Sequence, residues 1–367
     1  MSIILFLIIL VVLVVSHEFG HFIVAKLNKI RVDEFSFGFP PKLLSKKIGE
    51  TTYKLNALPF GGYVKIYGQG EEEEEEDKDI KRSYSSKPFY VKAMVLLGGV
   101  CMNFLLAWLL LSIGFMSGLP SSVSGFGDAS LIKDKAVTIT STLKDSPAEK
   151  AGLLTGDKIN YLETDSDSTL LLSSNFGVET VQNFINKHGG EEVTMSVERA
   201  GQEVKTIIVP EINEAENRAM IGISLDMIGV LKLPVHKAVW HGLKLTSNLF
   251  VATVEGFYNL IKNAFTGEAN LDSLTGPIGL IGVVGDAANL GFIYLLSFTA
   301  LISINLVVIN LIPFPALDGG QLLFLLIEKI KGSKIKPKIA NWVNTIGIGL
   351  LIILMLVISY HDIIKLI

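Results

Sequence analysis

The chain has 367 residues, of which 49% are hydrophobic and only 19% charged. Soluble domains average about 25% charged residues, so a membrane protein is the first expectation. A net charge of −4 with no basic run interleaved with aromatics argues against a nucleic-acid partner, and a single cysteine, Cys101, excludes an intrachain disulfide.

Four apolar stretches have the length of a membrane span, about 20 residues each. They run from about Ile3 to Leu27, Ala93 to Met116, Gly291 to Ile312 and Val343 to Tyr360. The first is not expected to be a cleaved leader, because residues 1–16 carry no Lys or Arg and no small-residue cleavage pattern follows Val15. Its unbroken apolar run, Ile3 to Val15, spans only if the helix continues through Ser16-His17-Glu18-Phe19-Gly20-His21. Ionisable side chains then lie at membrane depth, where they are costly and point to function.

Lys and Arg set the orientation. They crowd the loop after the first span, from Lys26 to Lys92, and the loop after the third, from Lys329 to Lys338. Both loops are expected on the cytoplasmic side and both termini outside. Residues 121–235 are soluble in character and are expected outside as well. Pro234 to Phe265 is apolar in part but interrupted by His236, Lys237, His241, Lys244, Glu255 and Lys262, so it reads as one or two amphipathic helices on the outer membrane surface. The seven consecutive acids from Glu71 to Asp77 read as a solvated loop.

His17-Glu18-Phe19-Gly20-His21 is H-E-x-x-H. On a helix, positions i and i+4 share a face, so His17 and His21 can hold one zinc ion. Glu18 is then placed to take a proton from the water that such an ion activates. A catalytic zinc needs a third protein ligand. His188, His236, His241 and His361 are expected on the wrong side or at the wrong depth. The first and third spans run in the same direction, which brings the segment Asn310-Leu311-Ile312-Pro313-Phe314-Pro315-Ala316-Leu317-Asp318-Gly319-Gly320 to the depth of His17. Asp318 is thus the candidate third ligand; its competing assignment is an N-cap for a helix over Gln321 to Ile330. Asn310 is a candidate partner for the reacting carbonyl, or interhelical glue. The prolines free backbone groups that, at membrane depth, must line a cavity or be buried in protein.

These two motifs together resemble the site-2 protease family of intramembrane metalloproteases, in its bacterial regulated-intramembrane-proteolysis branch. The family pairs H-E-x-x-H in the first span with N-x-x-P-x-P-x-L-D-G in a later one, and His17, Glu18, His21, Asn310 and Asp318 match it position by position. Ala57 to Lys65 resembles the family's membrane-associated β-hairpin, Leu274 to Gly279 its short Gly-Pro segment, and Ser146 to Ile159 part of a PDZ domain. The second span departs from the pattern, with Val100 where relatives often have Pro, although Asn103 keeps the polar position. Gln321 stands where His is common, and one PDZ domain is found where relatives often have two.

The resemblance implies a helical membrane protein of four spans with a membrane-associated hairpin and one extracytoplasmic α+β PDZ domain. Spans 1 and 2 fall in residues 1–120, the PDZ domain in 137–211, amphipathic helices in 212–290, and spans 3 and 4 in 291–367. It implies a zinc-dependent endopeptidase of the bacterial inner membrane that cuts single-span proteins such as anti-sigma factors or remnant signal peptides. The active site would lie toward the cytoplasm, and the PDZ domain would bind or filter trimmed ends. Glu18 would be the catalytic base and His17, His21 and Asp318 the Zn2+ ligands. Gly61, Gly62, Tyr63, Val64, Asn103 and Asn310 would position substrate. A PDZ receptor without catalysis leaves Glu18 and Asp318 unexplained. A di-iron oxidase needs more histidines, and a transporter needs a polar path across the membrane.

Overall fold

The computed structural model describes residues 1–69, 80–124, 129–165, 168–170, 177–199, 201–213, 218–267 and 275–366. The acidic run Glu71 to Asp77 and Leu274 lie outside the described residues. The chain divides into two units, one of Met1–Ile113, His236–Ala288 and Leu295–Ile367, the other of Gly114–Val235 and Asn289–Tyr294.

The first unit holds the apolar helices. Four helices among the described residues are long and apolar enough to cross a membrane. They are α1 (Ser2–Leu27), α2 (Phe89–Ser117), α7 (Phe292–Leu311) and the Lys338–Ile364 part of α9 (Pro337–Leu366). The first, second and fourth cover the stretch expected from hydropathy and extend it by one to five residues, while α7 is one residue shorter at each end than the expected Gly291 to Ile312. The remaining long helices are α5 (Val235–Thr266), α6 (Pro277–Leu290) and α8 (Asp318–Lys331). The Pro234–Phe265 stretch is thus one continuous helix. Ile9 and Leu13 of α1 bury against Val284 of α6, with Leu106 of α2 and Leu306 of α7 around them. Ala107 and Leu111 of α2 bury against Ala300 and Ile304 of α7, and α5 adds Leu245, Leu249 and Phe250.

Asp362 is buried near the end of α9, and its carboxylate accepts from the backbone N–H of Gly276 (3.1 Å) and Gly279 (2.8 Å). It therefore caps the N-terminus of α6 from a distant helix, satisfying donors that a helix start leaves open. A Cβ at Gly276 would stand 2.7 Å from Asp362 Oδ2, which explains the glycine before Pro277.

Between α1 and α2 the chain forms β1 (Val32–Ile48) and β2 (Thr51–Ile66), turning at Gly49-Glu50. Both strands bend, and the result is a sheet four strands wide. Glu34 to Phe37 pair with Thr52 to Leu55 on one side and with Gly62 to Lys65 on the other. Lys42 to Ile48 then pair with the outer side of Thr51 to Asn56. Residues 57–65, expected as the hairpin itself, are instead the later half of β2. They leave Gly62 to Ile66 as a sheet edge. The turn residue Glu50 pairs with Lys26 at the end of α1 and with Arg82 ahead of α2.

The second unit is built on an antiparallel sheet in the order β3-β11-β4-β5-β7-β8, with β6 added beside β5. Its strands are β3 (Leu119–Ser122), β4 (Ile132–Thr142), β5 (Lys158–Glu163), β6 (Ser168–Leu170), β7 (Val193–Arg199), β8 (Gln202–Ile208) and β11 (Ile223–Leu231). A separate pair is β9 (Glu211–Asn213) with β10 (Arg218–Met220). The helices are α3 (Pro147–Lys150) and α4 (Val178–Lys187). Val181, Phe184 and Ile185 of α4 close the core over Ile139, Leu162, Met195 and Val197. Ser146 caps α3 by accepting from Glu149 N–H, while Glu149 accepts from Asp145 N–H, a reciprocal arrangement that starts this short helix. The sheet runs well past residue 211, so residues 212–231 are largely strand, where only helices were expected.

Two predictions follow from these ties. Burial would raise the Glu50 carboxyl, but hydrogen bonds from Lys26 and Arg82 hold it below the usual carboxylate range. Its contribution is complete above the ordinary carboxylate pKa and is lost as pH falls through the lower folded value. Acidification is expected to lower the protection of the amides around Ile48–Thr51 relative to their intrinsic exchange rates at each pH, and unchanged protection would count against the tie. Asp362→Ala is expected to cost about 2 kcal/mol, read as a lower thermal midpoint in detergent.

Candidate active site

All three groups of the H-E-x-x-H motif lie on α1, and the geometry follows from α2 packing against them. Gly20 of α1 meets Gly98 of α2 backbone to backbone, because a Cβ at Gly98 would stand 2.6 Å from the Gly20 carbonyl oxygen. One residue on, a Cβ at Gly99 would stand 2.5 Å from His21 Nε2 and 2.6 Å from His17 Cε1. Gly99 therefore leaves the space in which both imidazoles sit. One turn earlier on α2, the Val95 carbonyl oxygen lies 2.8 Å from His21 Nδ1. That contact sets the tautomer with the proton on Nδ1 and turns the Nε2 lone pair toward the cavity.

Asp318 arrives from the other side of the cavity. The Leu311–Leu317 loop ends α7, and Gly319 and Gly320 press against its carbonyl oxygens at Leu311, Ile312 and Phe314. Ala316 adopts a left-handed φ of 74°, and its N–H donates to Asn344 Oδ1 of α9 at 3.2 Å. Asp318 is the first residue of α8, the N-cap is Leu317, and no side chain caps the helix. The competing cap assignment is thus not what the carboxylate does.

His17 Nε2, His21 Nε2 and Asp318 Oδ2 converge. The separations are 3.2 Å between the two imidazoles, 3.1 Å from His17 to Asp318 and 3.4 Å from His21 to Asp318. Ligands bound tetrahedrally to zinc at about 2.0–2.1 Å lie about 3.3 Å apart. Asp318 Oδ2 is buried and lacks a hydrogen bond among the described residues. Two nitrogens and one carboxylate oxygen so placed fit a zinc ion and leave a position open. Among the described residues no other group of His, Cys, Asp and Glu is spaced for a metal.

A cavity of about 440 Å3 surrounds these groups. His17, Glu18, His21, Gly61, Gly62, Tyr63, Val64, Asn103, Asn310 and Asp318 all line it, so the candidate ligand, base and substrate-positioning residues named from the sequence line one cavity. Glu18 faces the sheet edge: a Cβ at Gly62 would stand 3.1 Å from its Cγ. Gly62 therefore gives Glu18 room, while Gly61 supplies a φ of 141°. Sequence reasoning missed Gly99 and the Val95 carbonyl, and nothing in a run of small and apolar residues marks either as a support for the histidines. It also missed the bridge from Gln69 Nε2 to Gln321 Oε1, 3.1 Å long, in the cavity wall.

Gly99→Ala is expected to weaken metal binding about 10- to 100-fold, the range for changes that support a ligand, with helix content by circular dichroism unchanged. Wild-type metal stoichiometry at low free metal would overturn the role given to Gly99.

Comparison with known proteins agrees with this geometry. The model of peptidase family M50 matches residues 5–354, a span that contains both motifs. A Clostridium acetobutylicum protein named "putative zinc metalloprotease" is 34% identical over 361 residues, covering 96% of this chain and 94% of that protein. A Fusobacterium nucleatum protein of the same description is 33% identical over 367 residues, covering 100% and 99%. The zinc metalloprotease RasP of Shouchella clausii is 28% identical over 447 aligned residues, covering 98% of each chain. A cavity built for two histidines, a carboxylate and a neighbouring glutamate, on helices long enough to cross a membrane, is what such relatives lead one to expect: the chain belongs to peptidase family M50, the site-2 proteases, and is a zinc metalloendopeptidase embedded in a membrane.

Proposed function

We propose that the cavity cuts single-span membrane proteins within their transmembrane segments, with Glu18 as catalytic base and His17, His21 and Asp318 as the zinc ligands. The observation that carries this reading is the convergence of the three ligand atoms within 3.4 Å of one another beside Glu18. When bound, zinc supplies a Lewis acid that acidifies water and polarises a carbonyl. Glu18 takes the proton of the attacking water and hands it to the leaving amine nitrogen. The open space at Gly62 lets the Glu18 side chain lie against the sheet edge. The substrate pairs as an added strand with residues Gly61 to Val64, which exposes its peptide bond to Glu18. The Asn310 carboxamide supports the carbonyl oxygen as charge develops on it.

The substrates are anti-sigma factors or remnant signal peptides already trimmed by another protease, and the pathway is regulated intramembrane proteolysis. The membrane is the bacterial inner membrane. The sheet and the site face the cytoplasm and the termini and the second unit lie outside, a reading supported by the lysines that crowd the loops after the first and third spans. That unit acts as a PDZ domain on trimmed ends. Support for peptide docking comes from β11: β3 pairs with it only from Ile228 to Leu231, so beside β4 its Ile223–Asp226 stretch has one side unpaired by any described strand. An added peptide strand can complete such an edge.

Glu18→Gln is expected to lower cleavage of a tagged single-span reporter by about 10²- to 10⁴-fold with zinc content unchanged. Equal cleavage by both proteins would remove Glu18 from the base role.

A further inference from the structure

A protease that cuts inside a membrane must handle more than the scissile bond. Unwinding a substrate helix frees backbone N–H and C=O groups on both sides of the break. Hydrocarbon offers them no water. The sheet edge can pair with the extended stretch, but not with the last turn that stays helical. On the reading that this cavity is the proteolytic site, we propose that Asn103 caps the broken end of the substrate helix, its carboxamide taking a freed backbone N–H or C=O one turn deeper than the metal ligands.

The placement follows from α2. Val95, Gly99 and Asn103 recur every four residues on one face, the face that orients His21 and makes room for the ligands. At about 1.5 Å per residue, Asn103 lies about 6 Å beyond Gly99, toward the membrane interior. It is fully buried, and neither Nδ2 nor Oδ1 has a hydrogen-bond partner among the described residues. Several buried hydroxyls on these helices are satisfied locally: Ser112 donates to Trp108 O, Thr246 to Gly242 O and Thr299 to Leu295 O. Asp318 Oδ2, also without a hydrogen bond, is accounted for by a metal ion. The Asn103 carboxamide is accounted for by nothing among the described residues. Nor is its side chain the glue between α2 and α7, because Ser303 Oγ donates to the Asn103 backbone oxygen at 2.8 Å and makes that contact itself. A carboxamide carries both a donor and an acceptor, so it can cap a substrate helix that ends in either direction.

The test uses the full-length protein in nanodiscs and two synthetic single-span peptides with a fluorophore and quencher. One has an uninterrupted Leu/Ala helix. The other carries an Asn-Gly break at the deep end of the cut region, so that it caps itself. For Asn103→Leu, and equally for Asn103→Ala, kcat/KM on the uninterrupted helix is expected to fall about tenfold. On the self-capped helix it should stay within about twofold of wild type. The thermal midpoint of Asn103→Leu should equal or exceed wild type, since an unpaired buried amide has been removed. A lower midpoint with the same loss on both peptides would make Asn103 structural and overturn the proposal. Equal cleavage of both peptides by wild type and variant would overturn it too. A wild type no faster than Glu18→Gln would overturn the site reading itself, and this proposal with it.

Discussion

Two helices can bring their backbones into contact only where neither interposes a Cβ. At Gly20 and Gly98 α1 and α2 do so, and the rest of the site depends on the contact. Had either residue a side chain, the helices would separate and the Val95 carbonyl would leave His21. A histidine ligand without a fixed tautomer and direction is a weak one. The contact also brings Gly99 against the imidazoles, so that the wall of the metal site is bare helix rather than side chain. Gly20 costs about 1 kcal/mol against Ala in helix propensity. Here that cost allows an approach no other residue permits.

Opposite this wall the site is assembled from distant parts of the chain. The loop Leu311–Leu317 is held by Gly319 and Gly320 pressing on it, by Asn344 of α9, and by Gly347, whose missing Cβ leaves room for Pro315. Asp318 thus stands on a helix start braced from two sides. The sheet closes the third side, with Glu18 lying between α1 and the strand that faces it.

Much of this was legible in the residues. H-E-x-x-H and the Asn310–Gly320 segment both stand out because polar groups interrupt apolar runs, and the cost of burying them at membrane depth gives the interruption meaning. Hydropathy placed the four long apolar helices because length and composition suffice for that. The strand partners were not legible. Residues 57–65 stood out only by resemblance to a hairpin, which does not say that β1 would pair on both sides. The extent of the second sheet was missed for the same reason, since β11 joins β4 across about 80 residues of intervening chain. Gly99 and Asn103 show the deeper limit. A glycine in a span has many uses, and an amide without a partner is a property of its surroundings, not of its letter.

The double pairing of Glu34 to Phe37 has a mechanical consequence. In a two-stranded ribbon a tug on one strand peels it from its mate, one bond after another. Here the strand facing the cavity is backed by a layer that is itself pinned from behind, and the turn beyond is moored through Glu50 to Lys26 at the end of α1 and to Arg82 ahead of α2. Such a sheet behaves as an anvil. A segment drawn against it yields first, so the work of extension falls on the incoming chain rather than on the protein.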